Sequence, residues 1–285
     1  MLWREFMEKW AYATLLGNNE YFEGTLALIK SLRDLKAKYP IIVMVTDDVD
    51  ELYKKYLRSI MVNVMEIKKI NIDPQLIKKN NINGQPKWSN SFTKLAVFNL
   101  VEWDKIVFLD SDMVILKNVD NLFDHPSLSA VVADKFYPTS RQWTELNSGT
   151  LVLAPNQEEF KRLTALIPNN AETPLGDQDI LHVAFPNWRT NMKLHLGYEY
   201  NIFSKHIDYY KKIKSHRSKK QEAILHYTGP IKPWMFSKGE LCLWSVKNLI
   251  KGHFIEIRYF YRYRTLLKEE FKNFKVWEVK SKMLV

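Results

Sequence analysis

The chain carries a single cysteine, Cys242, in 285 residues, so neither an internal disulfide nor a cysteine-ligated zinc site is available to it. That scarcity fits a reducing compartment. Glycine (9) and proline (11) are also sparse, which excludes collagen-like and Pro/Gly low-complexity architectures. No stretch reaches the roughly 18 consecutive apolar residues that a membrane-spanning helix needs, so no transmembrane segment is expected. The opening MLWREFMEKWAYATLLG lacks a basic stretch followed by an unbroken apolar one, and a secretory signal is not expected either. Residues 1–9 read as a short amphipathic helical extension, and the expected location is the cytoplasm. No internal repeat is visible.

What is present is an ordinary globular balance, 46% hydrophobic and 26% charged, in a chain long enough to bury a sizeable core. Lys plus Arg number 42 against 32 Asp plus Glu, a formal charge of +10. That surplus favours anionic partners such as nucleotides, nucleic acid, anionic lipid or acidic proteins. Charge alone does not choose among them.

Short apolar runs at Ala11–Leu16, Ile41–Val45, Val62–Ile67 and Ile106–Leu109 predict buried strands, with further strands at Ala130–Ala133, Gly149–Leu153 and Ile224–His226. Helical spacing predicts helices over Tyr21–Lys36, with Asn18 or Asn19 to cap it, and over Glu51–Ile60, Gln157–Leu166 and Gln178–Phe185. Strand and helix alternate, so the expected class is α/β: a mostly parallel central sheet flanked by helices. Ligands of such sheets sit beyond the carboxyl ends of the strands. Two segments differ in composition. Residues 211–220, KKIKSHRSKK, read as a solvated loop or as an anion- or acceptor-facing flap. Residues 236–285 form a basic, aromatic helical segment; packing on the body is its default, and 241–277 also suits a peripheral membrane or partner contact.

The strand Ile106–Leu109 runs directly into Asp110-Ser111-Asp112. Residues two apart on an extended chain point to one side, so both carboxylates reach one cation. Close carboxylates repel and raise each other's pKa unless a cation relieves them, and oxygen ligands suit Mg²⁺ or Mn²⁺. An Asp-x-Asp alone is also common in surface turns. A second constellation, HYTGPIKPW from His226 to Trp234, again follows an apolar run. Gly229 allows close backbone approach, Lys232 supplies a point charge for a phosphate, and the two prolines stiffen the turn. Asp110, Asp112 and His226 make a coherent mixed oxygen–nitrogen set, which favours Mn²⁺ over Mg²⁺.

FLDSDMVILKNVDNLFD, LNSGTLVLAPN, GDQDILHVAF and HYTGPIKPW, in that order, resemble the signature of the retaining glycosyltransferases of family 8, which include the glycogenins and galactinol synthases. AYATLLGNNEYFEGTLALIKSL resembles the family's first strand and helix. The likeness spans roughly residues 10–235 and implies a GT-A type nucleotide-sugar-binding fold, with a catalytic domain over 1–235. It implies a hexose, glucose or galactose, moved from a UDP-sugar to a carbohydrate, polyol or protein acceptor.

By the same resemblance, Leu15, Asn18 and Tyr21 hold the nucleoside, although Gly17 stands where relatives often carry a hydroxyl. Ser111 lies by the ribose, and Lys94 contacts the donor near its diphosphate and sugar. Asp134, Asn147, Ser148 and Gly149 lie beside the sugar, and Asp177 and Gln178 lie next to its anomeric carbon. Asp110, Asp112 and His226 ligate the metal, and Gly229 and Lys232 form the phosphate turn. Glycogenins glucosylate one of their own tyrosines; Asp208 aligns there, with Tyr209 and Tyr210 adjacent, which keeps self-glycosylation open. A basic nucleic-acid- or membrane-binding module with an inactive core is the remaining alternative. Oligomeric state is unspecified, a dimer included.

Overall fold

A computed structural model describes residues 8–133, 137–140, 142–168, 173–217 and 221–283. The expected N-terminal helix falls mostly outside them, as do Asp134 and residues 218–220.

The chain begins β1 (Trp10–Leu16), α1 (Phe22–Asp34), β2 (Ile41–Val45), α2 (Glu51–Ser59) and β3 (Asn63–Glu66), then α3 (Pro74–Ile82) and α4 (Trp88–Ser91). Next come β4 (Lys105–Leu109), β5 (Met113–Ile115), β6 (Ser129–Val132), β7 (Leu146–Leu153), α5 (Gln157–Ala165) and α6 (Asp177–Ala184). The remainder is β8 (His195–Leu196), β9 (Ile202–Phe203), α7 (Ile207–Arg217), β10 (Ile224–His226), α8 (Lys238–Ile250) and α9 (Phe254–Met283).

Among the described residues, seven strands form the main sheet in the order β3-β2-β1-β4-β7-β6-β8. The β3-β2-β1-β4 half is parallel, and β7 runs antiparallel to both β4 and β6. β1 and β2 are nearly all apolar and buried, as strands covered on both faces must be. One face is covered by α1, α2 and α9 and the other by the 3-10 stretch Phe92–Asn99, α5 and α6. A second sheet, β5-β10-β9, sits beyond the end of β4.

The structure departs from expectation in four places. The first helix opens as a 3-10 turn, Asn19–Tyr21, whose Glu20 N–H donates to Asn18 Oδ1, and α1 starts only at Phe22. β3 is an edge strand with Asn63 and Glu66 exposed rather than a buried one. The basic run after Tyr210 is helical through Arg217, because lysine and arginine are good helix formers and Ile207 and Tyr210 anchor α7 to the core. The aromatic tail is two helices, broken where Gly252 takes φ +76.

α9 lies along α1 and shares its core. Phe274 is buried between Phe22 and Tyr56, with ring centroids 5.1 and 5.0 Å away. Asp208 accepts the backbone N–H groups of Ile255 and Glu256, both at 2.9 Å, and so caps the start of α9.

Candidate active site

Strand pairing assembles the site. β1 and β4 are parallel neighbours, so the loop holding Gly17 and Asn18 and the Asp110–Asp112 turn leave the sheet at one edge. β7 is antiparallel to β4, and the ladder continues one step past Leu109: the Asp110 N–H donates to Gly149 O at 2.9 Å. Asn147, Ser148 and Gly149, in the first half of β7, therefore lie beside Asp110. In the second sheet His226 pairs opposite Met113, and the Tyr227 N–H donates to Asp112 O at 3.0 Å. Residues more than a hundred positions apart meet because two backbone ladders fix them.

Ligand atoms of Asp110, Asp112 and His226 all lie within 4.8 Å of one another. His226 Nε2 stands 3.1 Å from Asp112 Oδ1 and 3.9 Å from Asp110 Oδ2. Gly149 makes room for the imidazole: a Cβ there would sit 2.8 Å from His226 Cε1 and from Met113 Cε.

Two buried ammonium groups flank the trio. Lys232 donates to Asp112 Oδ2 and, at 2.7 Å, to Tyr227 O. Lys94 Nζ lies 2.8 Å from Asp110 Oδ1 and 3.2 Å from Asp177 Oδ2, and donates to Ser148 Oγ at 3.1 Å. Ser148 Oγ donates to Asp177 at 2.7 Å, and the Asp177 N–H donates to Ser91 Oγ at 3.0 Å. Gln178 Oε1 accepts the Ser148 N–H at 3.3 Å.

Burial works against every one of these charges, and neighbours decide the outcome. Burial would raise the Asp112 carboxyl, but His226 and Lys232 hold it far below the carboxylate range. Burial would likewise raise Asp177, yet Lys94 and the Ser148 and Ser91 hydrogen bonds keep it low. Burial would pull the Lys94 ammonium down, but Asp110 and Asp177 hold it above the usual lysine range. Asp110 is the exception: burial lifts its pKa, Lys94 opposes, and the Asp112 charge lifts it further. Among the described residues three carboxylates face two ammonium groups, and the His226 imidazole is what answers the third. A divalent cation among Asp110, Asp112 and His226 would take over that role, and the donor set fits one.

The turn after β10 is locked in place. Gly229 has φ +94, a left-handed conformation that suits glycine. Trp234 Nε1 donates to Glu20 O at 2.9 Å, and its ring fills the space over Gly24, where a Cβ would clash at 2.6 Å. Arg264 of α9 donates to Pro233 O and Phe236 O. Tyr21 meets Trp234 edge to face at 5.8 Å and accepts a hydrogen bond from Lys87 Nζ at 3.2 Å. Leu15 and Asn18 are half-buried near the end of β1, and Ser111 is buried.

The structure thus brings together Lys94, Asp110, Asp112, Asn147, Ser148, Gly149, Asp177, Gln178, His226 and Lys232. Sequence reading missed Ser91, Lys87 and Asn201, whose Oδ1 lies 2.9 Å from His226 Nδ1. A serine before a helical stretch and an asparagine after a tyrosine carry no spacing signal of their own.

The sequence model of glycosyl transferase family 8 matches residues 13–237. The chain belongs to glycosyl transferase family 8. Human glycogenin-1 is 29% identical over 229 residues, covering 80% of this chain and 63% of its own length. Glycogenin-1 of Caenorhabditis elegans is 30% identical over 231 residues, covering 79% and 50%. The chain thus spans about half to two thirds of these relatives. The glycosyltransferase GlyE of Streptococcus pneumoniae superposes with a TM-score of 0.58 at 19% identity, over 93% of this chain and 64% of that one. The fold is the expected GT-A type, with its family-8 motifs gathered at one sheet edge.

Proposed function

We propose that the chain is a Mn²⁺-dependent retaining hexosyltransferase that takes glucose or galactose from a UDP-sugar, with Mg²⁺ as the alternative ion. The observation that carries this reading is the clustered trio of Asp110, Asp112 and His226 flanked by Lys232 and Lys94. When bound, the cation neutralises charge developing on the departing nucleotide diphosphate.

The chain's own residues supply the rest. Lys232 adds a fixed positive charge to the leaving phosphate, which favours the transition state over the ground state. Leu15, Asn18, Tyr21 and Ser111 hold the nucleoside; Asn18 does so through its nitrogen end, because Oδ1 already accepts the Glu20 N–H. Gly229 lets the backbone approach the phosphates. Lys94 and Ser148 keep Asp177 ionised where it faces the sugar's developing oxocarbenium character, with Gln178 beside it. Asp134 is assigned to the sugar on resemblance alone. Retention follows front-face attack, the leaving phosphate oxygen taking the acceptor's proton as the new glycosidic bond replaces the broken one.

The deciding experiment is UDP release across a panel of nucleotide sugars with Mn²⁺. Release that stops with EDTA supports the proposal, and no release from any donor overturns it. Mass spectrometry that traps a glycosyl-Asp177 adduct would replace front-face attack with a covalent route.

The acceptor is a carbohydrate, polyol or protein. Self-glycosylation is the narrower alternative: Tyr210 is buried, whereas Tyr209 is half-buried against Tyr137 at 5.3 Å. Intact mass after incubation with donor and Mn²⁺ decides it, an unchanged mass removing this reading.

One surface supports a second contact. The inner face of α8 packs through Leu241 and Ser245, yet its outer face is also apolar: Leu243 is 66% exposed and Ile250 82%, with Phe254 of α9 at 62%. A cluster of large apolar side chains on the outer face of a surface helix is unusual. From Leu241 to Ile255 the only charged side chains are Lys247 and Lys251. Apolar side chains among cations suit an anionic lipid surface. Flotation with vesicles containing phosphatidylglycerol, lost in Leu243→Glu/Ile250→Glu, supports this contact. Absence of flotation removes it, and salt-sensitive retention on DNA would point instead to nucleic-acid binding.

A further inference from the structure

The hydrogen bonds behind His226 have only one consistent direction, and it starts from the backbone. A backbone N–H can only donate, so the Asn147 atom 2.9 Å from the Gly149 N–H is the carbonyl oxygen Oδ1. The same oxygen lies 2.6 Å from the Asn201 side-chain amide, which must therefore present its donor, Nδ2. The other end of that amide, Oδ1, then faces His226 Nδ1 at 2.9 Å, and an acceptor there requires the hydrogen to sit on Nδ1. Nδ1 is thereby a hydrogen-bearing nitrogen whatever Nε2 carries: toward the Asp112 carboxylate 3.1 Å away Nε2 donates, and its lone pair becomes free when a cation displaces that hydrogen.

We propose that Asn201 is a positioning residue that fixes the His226 tautomer, so that Nε2 is ready to bind a cation. Asn201 is 3% exposed, and the imidazole is further confined by Gly149 on one side and Phe203, edge to face at 5.8 Å, on another. Orientation of a ligating imidazole by a partner on its other nitrogen is a general device, and losing that partner weakens metal binding by roughly 10–100-fold. Asn147 is drawn into the same relay. Its Oδ1 already accepts two hydrogen bonds, so only its Nδ2 remains for a sugar hydroxyl. The inference rests on the metal reading above, but its first test does not use metal.

Long-range proton–nitrogen spectra of the metal-free, ¹⁵N-histidine-labelled protein, at a pH well above the ordinary histidine range, report which ring nitrogen carries hydrogen. The His226 signal is identified by its absence in His226→Gln. Hydrogen on Nδ1 is expected, with or without a second one on Nε2 toward Asp112, and a bare Nδ1 overturns the proposal without any Asn201 variant. Asn201→Leu removes both hydrogen bonds and should release the tautomer; Asn201→Asp keeps an acceptor for Nδ1–H and should retain it. Calorimetry with Mn²⁺ should show about 10–100-fold weaker binding for Asn201→Leu, and unchanged affinity there overturns the relay. Failure of the wild-type protein itself to bind Mn²⁺ sinks the metal reading instead, with the spectra still judging the tautomer.

Discussion

The buried cluster at the end of β4 and the helical hairpin tip at Gly252 are opposite solutions to surface chemistry. In the cluster, Asp112, Lys94, Lys232 and Asp177 are at most 9% exposed, and each is held by a counter-charge from a distant segment. At the tip, Leu243, Ile250 and Phe254 face outward with hydrocarbon and no charge to satisfy. Placing charges in a low dielectric is expensive, and the cluster persists only because partners are aligned before any ligand arrives. Exposing a few apolar side chains disturbs the fold itself very little. The cluster has a geometry that a substitution breaks, whereas the tip has a surface that only a partner reads.

The largest expected effect is at Asp112. Asp112→Ala strands the Lys232 ammonium, which is 3% exposed, with Tyr227 O as its remaining partner and no counter-charge from Asp112. Removing one partner of a buried ion pair costs about 3–5 kcal/mol, and the same change removes a metal ligand. Denaturant unfolding should show that loss, and Mn²⁺ calorimetry should show binding weakened beyond the roughly 10–100-fold of an outer-shell defect. Asp112→Ala/Lys232→Met should recover much of the stability and none of the binding. Equal stability of the single and double variants would show that the pair is not the source of the cost.

Lys94→Met gives an intermediate effect with a signed pH dependence. Lys94 holds Asp177 low and opposes the rise of Asp110. A carboxyl whose folded-state pKa is depressed stabilises the fold above the carboxylate range, and that stability is lost as pH falls through the depressed value. Without the ammonium both carboxyls shift upward, and a raised carboxyl destabilises the fold as pH rises through it. The stability difference from wild type should therefore be largest near pH 7 and shrink toward about pH 4. A difference independent of pH would assign the loss to packing of the lysine stem alone.

How far the sequence discloses these features follows from their physics. The parallel half of the sheet was legible because IIVMV and KIVFL are short, β-branched apolar runs, and the cation trio because Asp110, Asp112 and His226 each follow such a run. β5, β8 and β9 are only two or three residues long, too short for any period to emerge. Asn201 was invisible for a different reason: its role depends on the direction of two amides that meet between the main sheet and the second one. The basic run misled over its described part, 211–217, because a solvated helix and a solvated loop share a composition. Its helical state is set by Ile207 and Tyr210 upstream, which dock α7 on the core.

The smallest expected effect is at the hairpin tip. Ile250→Ser removes an outward side chain that is 82% exposed and creates no cavity. Surface changes of this kind stay within about 0.5 kcal/mol of wild type. The same change lies on the face assigned to lipid, so flotation with anionic vesicles should weaken while unfolding and UDP release stay put. A loss of stability above about 1 kcal/mol, outside the range for such surface changes, would mean that Ile250 is covered in the free protein. The tip would then resemble the cluster, built to satisfy itself rather than to meet a partner.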